Sequence, residues 1–466
     1  MAVHTNHPVA APPSAPIRET SGHLLLRGWC IFVLAASLAG SSWLMAFGEA
    51  GAVIAACGTG VVSGILWIVL RPEVQWPRLP WFAVGYVVWA VASLIWTAYP
   101  SATALTLVLL LTTTMQAMFV GSVLTWRELV RAIASALKWM LSLSLLFELW
   151  VSLVWGGPIL PHFVRPEGHV NPITYWSRDN LFDGGRIQGI FGSANPLAYV
   201  ALLGMIVFAI RIATRAPRRP LLLGWFLLAA YLFVRAGSAT ATLAAAAVVV
   251  VLVTVLFMRR IRRPGGRTRV YLLYAVVALG GLSALWLGRT TIFSALGRSS
   301  DLTGRERIWE AVWARATERP ILGWGFSTPW VPGDPHFEGW IVDHDVTVMQ
   351  AHNMWLDVFF QVGAVGLALM ALTMLAFIWR SWFFAVDRPR WDLVADRPYS
   401  ALTLLPTLTG ALLLVEGLAE SGPLLGWGWF FIVLLAFKIK QAPLIGRGPS
   451  EQRLIQEQGE TARASR

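Results

Sequence analysis

Residues 350–367 read QAHNMWLDVFFQVGAVGL. From Met354 onward the stretch is almost wholly apolar and stays so for more than 20 residues, enough for a helix to cross the roughly 30 Å hydrocarbon core of a bilayer. Yet it opens on His352 and Asn353, and an acid, Asp357, follows about a turn and a half into the helix. Lipid rewards none of these three side chains.

The same kind of run recurs along the chain. Of 466 residues, 56% are hydrophobic and 13% charged, a balance that excludes a soluble protein of this length. Backbone groups in hydrocarbon must be satisfied within the segment, and the runs do not alternate as barrel strands do, so the spans are helices. The pattern predicts an all-α, polytopic integral membrane protein with about 12 transmembrane helices. The spans fall near 29–47, 50–70, 79–98, 101–121, 133–155, 193–213, 219–234, 239–258, 270–287, 352–378, 400–418 and 424–440. Residues 1–28 read as a cytoplasmic disordered tail without a signal-cleavage pattern, 29–440 as a single transmembrane domain, and 441–466 as a second cytoplasmic tail.

Loop charge orients the bundle. With the N-terminus inside, the inner segments carry RPEVQWPR, RIATRAPRRP and RRIRRPGGRTR, and 27 of the 37 Lys and Arg residues lie inside. The formal charge of +12 is then a topology signal and calls for no nucleic acid. Cys30 and Cys57 sit in separate spans and imply no disulfide framework. Two long segments, 156–192 and 288–351, fall on the outer face, which in a bacterium is the periplasm. A transporter more often places its chemistry at the midplane on broken helices in matching halves, a pattern not evident here.

The first long segment runs into GGRIQGIFGSANPLAYVAL, residues 184–202. Arg186 fits either an interfacial arginine reaching headgroups or a substrate cation, and Asn195 followed by Pro196 fits a helix N-cap with a first-turn proline. The second contains DLTGRERIWEAVWARATERPILGWGF, residues 301–326. Thr303 and Glu306 have capping-box spacing, so a helix starts near Gly304, with Trp309, Val312, Trp313 and Ala316 as its apolar stripe and Pro320 beyond its end. Arg305 lies on that apolar face. Its partner is either a protein carboxylate, Glu416 or Glu420, or a substrate phosphate, which the guanidinium fork matches. His352 fits an interface histidine bonded to a neighbour, or a general base, since imidazole titrates near neutrality. Asp357, about 140° round the helix from it, is a poor orienter of that ring.

The order His-Asn, nine residues, Gly, two residues, Gly, together with RIQGIFGSANPLA and TGRERIW…RPILGWGF, resembles the O-antigen ligase superfamily: O-antigen ligases, related polysaccharide polymerases and oligosaccharyltransferases that glycosylate pilins. The resemblance implies a glycosyltransferase of the bacterial inner membrane with cytoplasmic termini and a periplasmic active site. Its donor would be O-antigen polysaccharide linked to undecaprenyl pyrophosphate, and its acceptor a sugar hydroxyl of lipid A–core. By similarity the essential histidine is His352 and the essential arginines are Arg186 and Arg305. The chemistry of a departing pyrophosphate adds Arg298 and Arg289 as further candidate cations, and Asn353, Asn195 and Asp357 are candidate supporting residues. Arginines neutralise a leaving group without a metal or other cofactor. The stretch DPHFEGWIVDHD, residues 334–345, fits a solvated loop or a divalent-ion site. Most of the tryptophans fit aromatic belts and span packing; Trp324, Trp330, Trp340 and Trp355, in or next to the outer loop, fit either that role or stacking on a sugar ring, and none is singled out as a site residue. The same residues admit a polymerase, a pilin glycosyltransferase or, more remotely, a secondary transporter.

Overall fold

The computed structural model describes residues 21–161, 163–164, 170–261, 265–287, 305–331, 333–343, 346–387 and 399–441. Arg289, Arg298, Thr303, His344 and Asp345 lie outside these. The helices are α1 (Ser21–Ala39), α2 (Ser41–Leu70), α3 (Trp81–Ala92), α4 (Pro100–Val123), α5 (Trp126–Trp150), α6 (Ala194–Ala213), α7 (Arg219–Ala236), α8 (Ala239–Arg260) and α9 (Gly266–Leu287), followed by α10 (Arg305–Glu318), α11 (Met354–Val386), α12 (Leu404–Ala419) and α13 (Gly426–Gln441). Nine helical segments of the described residues are long and apolar enough to cross a membrane. The shorter α3 and α13, together with α9, match the remaining three spans. The chain is an all-α, many-pass membrane protein.

Three boundaries differ from the sequence reading. Residues 21–28, expected in the tail, form the first turns of α1. The first turn lies at Gly40, and the break expected near residue 48 is a kink inside α2, where Gly48 has φ 70°. α5 begins seven residues early, at Trp126, because Thr125 and Glu128 close a capping box. Of the expected stripe on α10, Val312 and Ala316 are buried and Trp309 packs half-buried against the second core, whereas Trp313 is 58% exposed and Ile308, outside that stripe, is buried. The buried stripe follows the i, i+4, i+8 row from Ile308.

The buried sides of α5, α6, α8, α12 and α13 form the bundle core. A second core at one end joins Tyr99, Trp330, Phe337, Ile341 and Phe360 to the buried face of α10. A two-stranded hairpin, β1 (Val342–Asp343) and β2 (Val346–Thr347), edges it. This is the loop end of the bundle. At the opposite, tail end, His23 bonds Glu128 and Lys438 donates to the Gly121 and Leu124 carbonyls at the end of α4.

The glycine spacing after His352 has a structural meaning. At Gly363, with φ 64° and ψ −168°, α11 is interrupted. Gly325 N donates to Gln361 O at 2.8 Å, Trp324 N to Phe360 O at 3.1 Å, and Ala364 N to Pro320 O at 2.8 Å. The PILGWG loop thus replaces the hydrogen bonds the broken helix lacks, and the two sequence motifs are partners. A Cβ on Gly363 would lie 2.1 Å from Ile321 O in a conformation essentially confined to glycine. Gly363→Ala is expected to cost about 3 kcal/mol. Thermal unfolding in detergent checks this, and a wild-type midpoint would refute the coupling.

Candidate functional site

The loop end gathers side chains from four separate regions around one carboxylate. Glu420 follows α12, where an extended conformation (φ −150°, ψ 159°) ends the helix. Its Oε2 lies 2.8 Å from His352 Nδ1. Its Oε1 accepts from Arg305 Nη2 at 2.9 Å and from Asn195 Nδ2 at 2.8 Å. Asn195 Oδ1 in turn accepts from Arg186 Nη2 at 2.9 Å. His352, Arg305, Asn195 and Arg186 are therefore one hydrogen-bonded chain with Glu420 at its centre.

Each arginine is also held by backbone. Arg186 Nε donates to Ala236 O at 2.9 Å, and Arg305 Nη1 to Ala419 O at 2.7 Å. A guanidinium has five N–H donors, so each keeps others for an anion. Arg305 pairs with Glu420, as one of its two sequence readings has it. That pairing also places it beside His352.

In a neutral imidazole at this position, the carboxylate 2.8 Å from Nδ1 makes that nitrogen the protonated one. Nε2, on a side chain 30% exposed, then carries the lone pair, and the described residues give it no partner. His352 has φ 49°, a left-handed conformation that histidine tolerates better than most residues. Asp357 holds that backbone. It is buried, and it accepts from Ala351 N at 3.0 Å, from Trp330 Nε1 at 3.0 Å and from the Ser421 hydroxyl. It does not touch the imidazole, as its angle on the helix requires. It fixes the residues next to His352 and next to Glu420 instead.

Two assignments change. Asn195 is not the N-cap of α6. Ser193 occupies that position, and the Asn195 amide bridges Arg186 to Glu420. The actual asparagine cap is Asn353, whose Oδ1 accepts from Trp355 N at 3.0 Å and Leu356 N at 3.2 Å. Asn353→Ala is expected to destabilise the protein by ~1 kcal/mol, with Asn353→Ser close to wild type. Denaturation midpoints test this, and equal losses in both variants would remove the capping role.

The Arg186 loop is pinned from below by Glu148, fully buried in α5, which accepts from Gly189 N at 2.6 Å, Gln188 N at 2.9 Å and Ser177 Oγ at 2.8 Å. Arg235 clasps the loop from α7 through the Asn180 and Leu181 carbonyls. Sequence reasoning missed Arg178 here. Its buried Nε has no partner among the described residues. Burial, and next the charge of Arg178, lower the Arg186 guanidinium from its ordinary value against the pull of Glu420. On Glu420, burial pushes the carboxyl up. His352, Arg305 and Asn195 together outweigh that and hold it below the ordinary carboxylate value. The hydrogen-bonded network is a carboxylate, a histidine, an asparagine and two arginines, with the charge of Arg178 felt at Arg186.

The other candidates lie apart from this network. Asp343 pairs with Arg307 at 3.2 Å, and His336 Nδ1 lies 2.9 Å from Asp334. Trp330 is 1% exposed and packs in the second core, so it has no face for a sugar. Trp324 and Trp340 hold the Arg315 guanidinium at 4.8 and 4.5 Å from their ring centres. The signal for Glu420 was an acid directly after an apolar span, whereas Asp357 is an acid inside one. The sequence offered it a partner in Arg305 and none in His352.

A many-pass helical membrane protein with a cationic, histidine-bearing site at one end of its bundle is the class this geometry defines. Residues 224–371 match the family model described as O-antigen ligase. The match includes Arg305 and His352 but ends before Glu420 and begins after Arg186. The chain is 26% identical over 347 residues to the exopolysaccharide production protein ExoQ of Rhizobium meliloti (strain 1021), covering 72% of this chain and 71% of that one. Both likenesses point to the O-antigen ligase/polymerase superfamily: the family match lies in the segment that carries Arg305 and His352, and the relative is a protein of exopolysaccharide production.

Proposed function

We propose that the protein is an inverting, metal-independent glycosyltransferase. It transfers O-antigen polysaccharide from undecaprenyl pyrophosphate to a sugar hydroxyl of lipid A–core at the periplasmic face of the inner membrane. The observation that carries this reading is the Glu420 carboxylate, which holds His352 Nδ1 on one oxygen and Arg305 on the other. On this reading His352 is the proton acceptor and Arg305, on the other oxygen of the same carboxylate, a cation for the leaving group. The acceptor hydroxyl oxygen forms the new bond to the anomeric carbon and gives its proton to His352 Nε2. The bond from that carbon to the pyrophosphate oxygen breaks, and its electron pair leaves with undecaprenyl pyrophosphate. Arg186, Arg305 and Arg178 neutralise the departing charge, a role in which arginines replace a divalent ion. Glu420 stabilises the imidazolium that forms, as a carboxylate does behind a histidine base.

The test is transfer by the purified protein in lipid, given undecaprenyl-pyrophosphate glycan and lipid A–core with chelator present. A laddered lipopolysaccharide with the anomeric configuration inverted is the expected product. Retention of configuration would overturn the single displacement. Loss of activity restored by a divalent ion would overturn metal independence. One observation favours a second reading, chain growth on a lipid-linked glycan: the curated relative is named for exopolysaccharide production. Elongation of the donor without transfer to lipid A–core would establish that reading in place of the first.

A further inference from the structure

At the tail end of the bundle, opposite His352, a second set of cations surrounds a pair of cavities. One, of about 430 Å³, is lined by Lys138, Arg211, Arg218, Leu221 and Leu222. The other, of about 270 Å³, shares Lys138 and Arg211 and adds Arg27 and Arg131. The cations converge from α1, α5, α6 and the turn into α7, so the cluster is a product of helix packing and not of one basic run. Among the described residues, the side chains of Arg131, Lys138, Arg211 and Arg218 have no carboxylate or hydrogen-bond partner. Lys138 meets only the ring of Trp225, 5.5 Å from its centre.

The position of Lys138 is unusual. It lies about 8 Å into the span that begins near residue 133, at 1.5 Å per residue, between the buried Leu137 and the exposed Trp139, and it shares its cavity with Arg218 of the turn into α7. Unpaired ammonium groups at that depth are costly, and they mark a bound anion or a path for one. Loop charges that only set topology belong in the loops and need no cavity. The walls are mixed. Leu222 is buried, whereas Leu221, which lines the same cavity, is 51% exposed on the lipid-facing side of α7. An occupant therefore meets guanidinium and ammonium groups at one end and apolar side chains open to the bilayer at the other.

We infer that this cavity binds a phosphate group, supplied by the headgroup of an anionic phospholipid whose chains lie along α7. Basic pockets between helices at this membrane depth recognise such headgroups through the same charges. Arginine contributes a fork to the phosphate oxygens, and the lysine acts as a point charge. The inference is independent of the chemistry at the loop end.

The experiment uses the full chain in nonionic detergent. It is titrated with short-chain phosphatidylglycerol, phosphatidylcholine and inorganic phosphate, with native mass spectrometry for the lipids and calorimetry for phosphate. Phosphatidylglycerol is expected to bind one per chain and at least tenfold tighter than phosphatidylcholine, by the electrostatic margin of two or more surface cations (about fivefold each). The Lys138→Gln/Arg211→Gln variant should weaken that binding about 25-fold, and the charge-retaining Lys138→Arg/Arg211→Lys variant should keep it. Arg218→Gln alters only an exposed side chain and should cost roughly fivefold if the double variant does not fold. Arg71→Gln, at the same end but outside the cavity, should bind as wild type. Phosphate binding as tightly as the lipid would keep the site and make its source soluble. Equal binding of both lipids, or wild-type binding by all the neutral variants, would overturn it.

Discussion

Alanine at position 352 is expected to lower glycosyl transfer by ~10²–10⁴-fold, the usual contribution of a positioned general base. The side chain is 30% exposed and makes one hydrogen bond, to Glu420, so little packing is lost with it. The helix that follows keeps its cap, which Asn353 supplies. His352→Asn is the cleaner companion, because asparagine also tolerates the left-handed backbone at φ 49° and cannot act as the base. Both variants should elute as folded protein on gel filtration and retain donor binding. Turnover by either at the wild-type rate would return His352 to a structural role at the interface.

Replacing Glu420 by glutamine is expected to damage both stability and rate. The carboxylate accepts from three side chains on two oxygens, and a glutamine side chain has one acceptor oxygen for them. Arg305, only 19% exposed, is left without its counter-charge, a loss worth roughly 3–5 kcal/mol when one partner of a buried pair is removed. The imidazole also loses the group that fixes its tautomer and stabilises its protonated form, so the rate should fall by about 10²-fold or more. The acid limb of stability separates this from simple misfolding. Glu420 is held below its ordinary value in the folded protein. Its contribution is therefore fully present above the unfolded value of about 4.3 and is lost as pH falls through the lower, folded value. Wild-type unfolding midpoints should drop across that acidic range, and those of Glu420→Gln should drop less. Identical acid limbs would show that Glu420 is not the ionised hub.

The membrane-spanning class and the order of the helices were legible in the chain because they are local properties. A run of about 20 apolar residues must become a helix wherever it lies in a bilayer. The motif glycines after His352 were visible as spacing, but not their purpose. Only the fold shows that the break at Gly363 receives the backbone of residues 320–325. The inward face of Arg305 could be read from helical periodicity, since a wheel depends on neighbours within a few turns.

The site itself is non-local. Glu420 is 68 residues from His352, 115 from Arg305 and 225 from Asn195, and no periodicity extends over such distances. Asn195 looked like a cap because asparagine ahead of an apolar run usually is one. Packing against α12 gave its amide two charged partners instead. Arg178 had no distinguishing neighbour in the chain and becomes notable only when folding of its loop brings it close to Arg186. The apolar pattern thus determined which segments enter the membrane and which remain at its face. Which polar side chains meet there was decided by tertiary packing, because pairing an ion in a water-poor site depends on positions in space and leaves no signature in sequence distance.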